Sequence, residues 1–187
     1  MTDLQPRSTA VVLIDLQHGI LARELAPHPA AHVVANAARL TAAWRAAGAT
    51  VVYVRVALGD IHTHVVDRPR ARPDSFPANA CDILPEAGMR EGDFLVTKRQ
   101  WGAFHATELD QILRRRGIRT IILGGVATNI GVETTARAAH DLGYDIVFAE
   151  DATSTLTADM HRFAFEQMFP TMGRVRSTDQ LLAALPA

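Results

Sequence analysis

Cysteine is almost absent. Cys81 stands alone among 187 residues, which excludes an intramolecular disulfide and any metal site built from a cysteine cluster. Charge of one sign is not in excess either. Nineteen Lys and Arg against twenty Asp and Glu leave a net charge of −1, giving no electrostatic reason to expect nucleic acid or an anionic membrane as partner. Long apolar runs are missing as well. Met1–Arg7 is polar, and the first apolar run, Ala10–Leu16, is interrupted by Asp15 and too short for a signal-peptide core or a membrane span. A cytoplasmic location is expected. Arg114-Arg115-Arg116 falls late in a predicted helix, where it complements the negative end of the dipole and reads as a solvated face.

What is present is ordinary for a soluble globular protein: 48% hydrophobic and 21% charged residues. The length suits one well-buried core, so residues 1–187 read as a single domain. Short β-branched runs alternate with amphipathic stretches. The pattern predicts strands at Ala10–Asp15, Thr50–Val56, Phe94–Thr97, Thr120–Leu123, Asp145–Ala149 and around Arg174-Val175. Between them it predicts helices over His32–Ala47, after Thr107 as N-cap to Gly117, over Asn129–Leu142 and near Ala158–Met168, with a final helix from Asp179. Glu133 and Arg137 form an i,i+4 pair with the acid first. Such alternation implies an α/β fold, a parallel sheet covered by helices on both faces.

Ala57–Gly92 breaks the rhythm. It holds Pro69, Pro73, Pro77 and Pro85 and no periodic segment. A connection this long reads as a lid or oligomer contact over the site, or as a solvated excursion.

Ligands of open parallel sheets bind outside the carboxyl ends of the strands. Asp15 closes the first predicted strand, Lys98 follows the third, and Gly124–Gly131 links the fourth to its helix. A carboxylate ending an apolar strand needs a partner, because burial disfavours its ionised form, and Lys98 is the natural one. Asp15 reads equally as a turn-former or helix cap. Gly124-Gly-Val-Ala-Thr-Asn-Ile-Gly131 opens a helix with free N–H groups suited to an anion or oxyanion, but it matches neither G-x-G-x-x-G nor a P-loop. A purely structural Gly-Gly turn is the plainer alternative.

Three segments resemble the isochorismatase-like hydrolases of the cysteine hydrolase superfamily. Val12-Leu-Ile-Asp15-Leu-Gln17 resembles their first-strand signature, and Lys98-Arg-Gln-Trp-Gly-Ala-Phe104 their K-x-x-x-S/G-A-F segment. Gly125-Val-Ala-Thr-Asn-Ile-Gly131-Val-Glu-Thr-Thr-Ala-Arg137 is similar to the block that usually reads G-V-A-T-N-x-C-V-x-x-T-A-R. The resemblance runs from about Thr9 to the C-terminus. It implies a three-layer α/β/α fold with a six-stranded parallel sheet in the order 3-2-1-4-5-6, often in homo-oligomers such as dimers or tetramers. It also implies an Asp-Lys-Cys triad near a cis peptide, here Asp15, Lys98 and position 131, with Val126-Ala127 as the unusual peptide. In that order Lys98 must reach back across strand two, roughly 10 Å, or the strands must splay.

Gly131 stands where the cysteine members carry their nucleophile, and glycine forms no acyl-enzyme. Isochorismatases proper also have glycine there and cleave a vinyl ether without a covalent intermediate. By that resemblance Asp15 protonates the vinyl carbon, water attacks the resulting cation, Lys98 orients the acid or neutralises a substrate carboxylate, and Gly131 leaves room and offers an N–H. A proton donor needs a raised pKa, which an adjacent Lys⁺ opposes and burial favours. The block departs from isochorismatases proper, which carry an aromatic and a His where this chain has Ala127 and Asn129. It is closer to the amidase version with its cysteine replaced.

The expected function is hydrolysis of a small, carboxylated molecule by Asp15, Lys98 and Gly131, without metal or cofactor. Gln17, Trp101, Phe104, Val126, Ala127, Thr128 and Asn129 are the candidate substrate contacts. Against these stand plain readings: Trp101 and Phe104 as core, Gln17 as a surface amide, Thr128 and Asn129 as helix caps. His62 and His64 alternate on an extended segment without an Asp-x-His context, and Glu150-Asp151 reads as a turn. Rival functions are a binding pseudoenzyme and an amidase with a replacement nucleophile, for which Cys81 is the one thiol.

Overall fold

Six consecutive residues with no solvent-facing side chain define the middle of the molecule. Strand β1 (Thr9–Ile14) is buried along its whole length, the mark of a central parallel strand covered on both faces. The computed structural model describes residues 4–62, 64–69 and 73–186, so the polar start Met1–Asp3 lies outside the described residues. Strands β2 (Thr50–Val56) and β4 (Thr120–Val126) flank β1. Strands β3 (Phe94–Lys98), β5 (Asp145–Ser154) and β6 (Arg174–Arg176) complete an all-parallel sheet in the order β3-β2-β1-β4-β5-β6. That is the expected order, and the order reverses at β1 and β4, where such sheets open a crevice.

Alternation along each strand sends side chains to two cores. Val12, Ile14, Val52, Val54, Ile121, Leu123, Ile146 and Phe148 fill one side. Val11, Leu13, Val51, Tyr53, Ile122 and Val147 fill the other. After the short α1 (His18–Leu21), α2 (Ala30–Ala46) lays Val33, Val34, Ala37, Leu40 and Trp44 on the second side. Helices α3 (Leu109–Arg115) and α4 (Glu133–Asp141) cover the first, through Leu109, Leu113, Ala136 and Ala139. Helices α5 (Ala158–Phe163) and α6 (Phe169–Met172) follow on that side, and α7 (Thr178–Ala183) returns to α2 with Leu181. Ser177 and Gln180 close a reciprocal cap on α7. The expected Glu133–Arg137 pair forms at 2.7 Å.

Two of the differences from expectation lie beside the site. Strand five does not stop at Ala149. The register jumps from Leu123↔Phe148 to Gly125↔Thr153, so Glu150 and Asp151 lie in a bulge of a longer strand and are not a turn. Gly124 admits that bulge, since a Cβ there would stand 3.0 Å from the Ala152 carbonyl oxygen. The helix expected from Asn129 begins instead as a wide π turn, Thr128–Val132, before α4. Single π turns of this kind recur at functional sites. A second one, Ala164–Met168, joins α5 to α6.

The irregular stretch after β2 is anchored at its far end. Ile83 bridges Gln17, Gly19 donates to Ala80 at 2.9 Å and Leu84 to Leu16 at 2.9 Å. Leu58, Ala80 and Val56 form a small core with Ile61, Phe76 and Cys81 against it. The stretch therefore runs along the residues that follow Asp15. Among the described residues no helix is long and apolar enough to cross a membrane.

Candidate active site

Asp15 leaves β1 with φ +54°, a conformation uncommon for a residue with a Cβ, while its N–H still bonds Val54 of β2 at 2.8 Å. Strained backbone of this kind gathers at functional sites. Lys98 ends β3, and its Nζ donates to Asp15 Oδ2 at 2.7 Å and to the Gln100 carbonyl at 3.3 Å. Both side chains are almost sealed from solvent, Asp15 at 8% and Lys98 at 2% exposure. Asp15 Oδ1 is buried without a hydrogen-bond partner. Burial pushes the Asp15 carboxyl up to about 6; the ion pair and hydrogen bond from Lys98 oppose the shift without cancelling it. The tug between burial and the adjacent cation is thus decided in favour of burial.

The third element is the turn after β4. Gly125 has φ +115°, and a Cβ there would overlap the Ile14 carbonyl, so only glycine lets β4 pass this close to β1. The Val126–Ala127 peptide bond is cis. The π turn then brings Gly131 over the ion pair. A Cβ on Gly131 would stand 3.0 Å from Ile14 Cγ2, 3.4 Å from Asp15 Oδ2 and 3.5 Å from Lys98 Nζ. A side chain at residue 131 would therefore stand against both charges, and its absence leaves that space between them and the turn. Thr135, one turn later, donates to the Gly131 carbonyl at 2.6 Å and accepts from the Ala103 N–H at 3.1 Å. It ties the turn to the loop after Lys98. Only its i+4 spacing from Gly131 on a helix hints at this in the sequence.

The remaining candidates divide. Gln17 is wholly buried and is no surface amide. Its amide donates to Val56 O at 3.0 Å and Ala80 O at 3.2 Å and accepts from Val56 N at 2.7 Å. That makes it a strut between β2 and the Ala80 loop. Trp101 is exposed at 53%, not core, whereas Phe104 packs into the first core with its ring 5.8 Å from Tyr144. Thr128 and Asn129 do not cap the helix. Thr128 Oγ1 bonds His161 Nδ1 at 2.9 Å, and Asn129 Oδ1 accepts from Thr155 at 2.8 Å. Val126 is buried and Ala127 partly so, packed on the second core. Cys81 packs as an apolar side chain against Val56, Leu58 and Ala80. His62 and His64 are both exposed.

Behind the turn lies a cluster that sequence spacing does not reveal. Glu150 Oε1 accepts from His28 Nε2 at 2.9 Å and from His161 Nε2 at 3.0 Å. The hydrogen bond from His161, ahead of the contributions from His28, holds the Glu150 carboxyl down to about 2 despite burial.

Comparison with known proteins places these features in context. The isochorismatase domain family model matches residues 9–180. The isochorismatase family protein YecD of Escherichia coli O157:H7 is 43% identical over 188 residues, covering 99% of this chain and 100% of that protein. The ureidoacrylate amidohydrolase RutB of Rhizobium rhizogenes is 32% identical, covering 83% of this chain and 74% of its own length. A solved isochorismatase family structure from Burkholderia thailandensis superposes with a TM-score of 0.91 at 40% identity, covering 97% of each chain.

Proposed function

Because this chain belongs to the isochorismatase family, whose members are hydrolases, we propose that it hydrolyses a small carboxylated molecule without a covalent intermediate, using Asp15 and Lys98 beside Gly131. One observation carries the reading. A carboxyl and an ammonium 2.7 Å apart face Gly131, where the turn carries no side chain.

The Asp15 carboxyl, raised to about 6, exchanges its proton near neutral pH. With an enol-pyruvyl ether, Asp15 gives its proton to the terminal vinyl carbon, which becomes a methyl group. The electron pair of the double bond forms the new C–H bond and leaves an oxocarbenium ion. Water adds to that cation and returns a proton to Asp15. The resulting hemiketal collapses to an alcohol and pyruvate. Lys98 holds the Asp15 carboxylate while it is charged and supplies a cation to the substrate carboxylate. Gly131 makes room for the reacting carbon, and no thiol is required.

Amide hydrolysis is the second reading, favoured by the similarity to the ureidoacrylate amidohydrolase and by the Ala127-Thr128-Asn129 block. There Asp15 acts as base toward water. Cys81 is a poor replacement nucleophile, packed as it is in an apolar cluster. A panel of enol-pyruvyl ethers and small amides, assayed for pyruvate and ammonia, separates the two. Pyruvate release that disappears in Asp15→Asn is the expected result. Ligand binding that survives that substitution, with neither product formed, replaces both readings with a binding pseudoenzyme.

We read residues 1–187 as one domain acting in the cytoplasm. Self-association, as dimer or tetramer, is supported by the exposed apolar row Leu156, Met160 and Phe163.

A further inference from the structure

We propose that His28, Glu150 and His161 form a binding site for one first-row divalent metal ion, zinc fitting best, behind the turn that carries Gly131. Their ligating atoms all lie within 4.8 Å of one another. The residues come from three separate places: the loop before α2, the β5 bulge and α5. Two imidazole nitrogens and one carboxylate oxygen are a donor set that zinc takes up readily, with a fourth position left for water.

The geometry is close to what an ion requires. Glu150 Oε1 lies 2.9 Å and 3.0 Å from the two Nε2 atoms. Metal–ligand bonds of about 2.0–2.1 Å put tetrahedral neighbours about 3.3 Å apart, so Glu150 needs to part from each imidazole by only a few tenths of an ångström, and the two imidazoles stand within 4.8 Å of each other. The rings are already held in place. His161 is stacked on Phe165 at 4.4 Å, and His28 on His32 at 5.2 Å. His32 is not one of the converging ligands, and its Nε2 is engaged by Asn36 Nδ2 at 3.0 Å. The His28 loop is tied to β5 by paired backbone bonds between Ala26 and Thr155, at 2.8 Å and 3.2 Å.

The hydrogen bond behind His161 is of the kind metal ligands use. Its Nδ1 meets Thr128 Oγ1 at 2.9 Å, which fixes the ring and leaves Nε2 as the ligating atom. In front, a cavity of about 460 Å³ lined by Pro27, Ala158, Arg162, Phe165 and Glu166 reaches Glu150 and His161, giving an ion and its water a way in. An ion held there joins three segments directly behind Thr128, three residues before Gly131. The site shares no residue with Asp15, Lys98 and Gly131, so its presence or absence leaves the hydrolytic reading untouched.

Zinc alone is the probe, added to full-length protein stripped with a chelator. The expected result is one zinc per chain by calorimetry and elemental analysis after desalting, with a zinc-dependent rise in melting temperature. His28→Ala and Glu150→Gln should each weaken binding at least a hundredfold and abolish the rise. Thr128→Val should weaken it about 10–100-fold. His62→Ala/His64→Ala should bind like the parent. Cobalt in place of zinc should give the intense visible bands of a tetrahedral nitrogen–oxygen site. His28 is partly exposed, so His28→Ala keeps the test valid if a His161 variant fails to fold. Absence of stoichiometric zinc in the parent, or binding undiminished in both His28→Ala and Glu150→Gln, overturns the proposal.

Discussion

Lys98 Nζ reaches Asp15 Oδ2 at 2.7 Å although strand β2 lies between the strands that carry them. The register explains how. Ile14 pairs with Val54, and Lys98 with Val56, so Lys98 sits one level nearer the carboxyl edge than Asp15. Val56 is the last residue of β2, so the lysine side chain crosses at the very end of that strand. Two strand spacings amount to roughly 10 Å, which an extended lysine, an aspartate and one hydrogen bond span.

Breaking this pair on one side should be costly and replacing both sides should not. Asp15→Asn strands an ammonium that is 2% exposed, and a loss of about 3–5 kcal/mol is expected from chemical denaturation. In Asp15→Leu/Lys98→Met, with two apolar side chains, most of that loss should return while turnover stays absent. Additive single and double effects would show that the contact has no energetic meaning.

The raised carboxyl gives a signed pH dependence. Between about 4 and about 6 the folded state keeps a proton on Asp15 that the unfolded chain has lost. The folded state therefore binds more protons, and stability falls as pH rises through that window, by at most about 3 kcal/mol. Asp15→Asn should flatten this component in denaturation curves taken across the range. If Asp15 is the proton donor, kcat/KM should also decline above a pH near 6. A rate still rising between pH 6 and 8 would point to Asp15 working as a base.

The alternation of strands and helices and the two charged site residues were legible in the sequence because each follows from a local pattern, whereas the sheet order came only through the resemblance to the isochorismatase-like hydrolases. A buried strand ends in an acid, another ends in a lysine, and a glycine-rich turn opens a helix. Gln17 was read as a substrate contact or a surface amide because nothing local distinguishes either from a strut whose partners lie 39 and 63 residues away. The His28–Glu150–His161 cluster escaped for the same reason, with a β5 bulge added. A bulge shows in the sequence only as extra strand residues, and Glu150-Asp151 looks like a turn until the β4 register is known. Thr128 and Asn129 resembled caps because Thr and Asn before a helix usually are. Here a π turn aims them at His161 and Thr155 instead.

Gln17→Leu tests the strut. It removes three buried hydrogen bonds, taking the amide away from the Val56 N–H and carbonyl, while the Ala80 carbonyl keeps the Gly19 N–H at 2.9 Å. Each unsatisfied group carries a penalty of about 1–3 kcal/mol, softened by relaxation of the loop, so a total loss of about 3 kcal/mol is expected. The Ala80 loop should loosen first. Limited proteolysis should show faster cleavage within residues 73–80 before the melting temperature is reached. Unchanged cleavage, with turnover lost, would instead make Gln17 a substrate contact.

Gly131 offers the sharpest separation of folding from chemistry. The backbone there is helical, so alanine is conformationally allowed and gains about 1 kcal/mol of helix preference. Its Cβ would crowd only Ile14 Cγ2, at 3.0 Å, the end of a side chain that can turn. Stability of Gly131→Ala should therefore stay within about 1 kcal/mol of the parent. The same methyl group would stand 3.4 Å from Asp15 Oδ2 and 3.5 Å from Lys98 Nζ, in the space proposed for the reacting carbon, so turnover should fall at least tenfold. Gly131→Cys puts a sulfur beside Lys98, which lowers a thiol pKa. Iodoacetamide should label it faster than Cys81, and an activated amide or ester should leave an acyl mass on the protein. Full turnover in Gly131→Ala would mean that the chemistry happens somewhere other than between this turn and the ion pair.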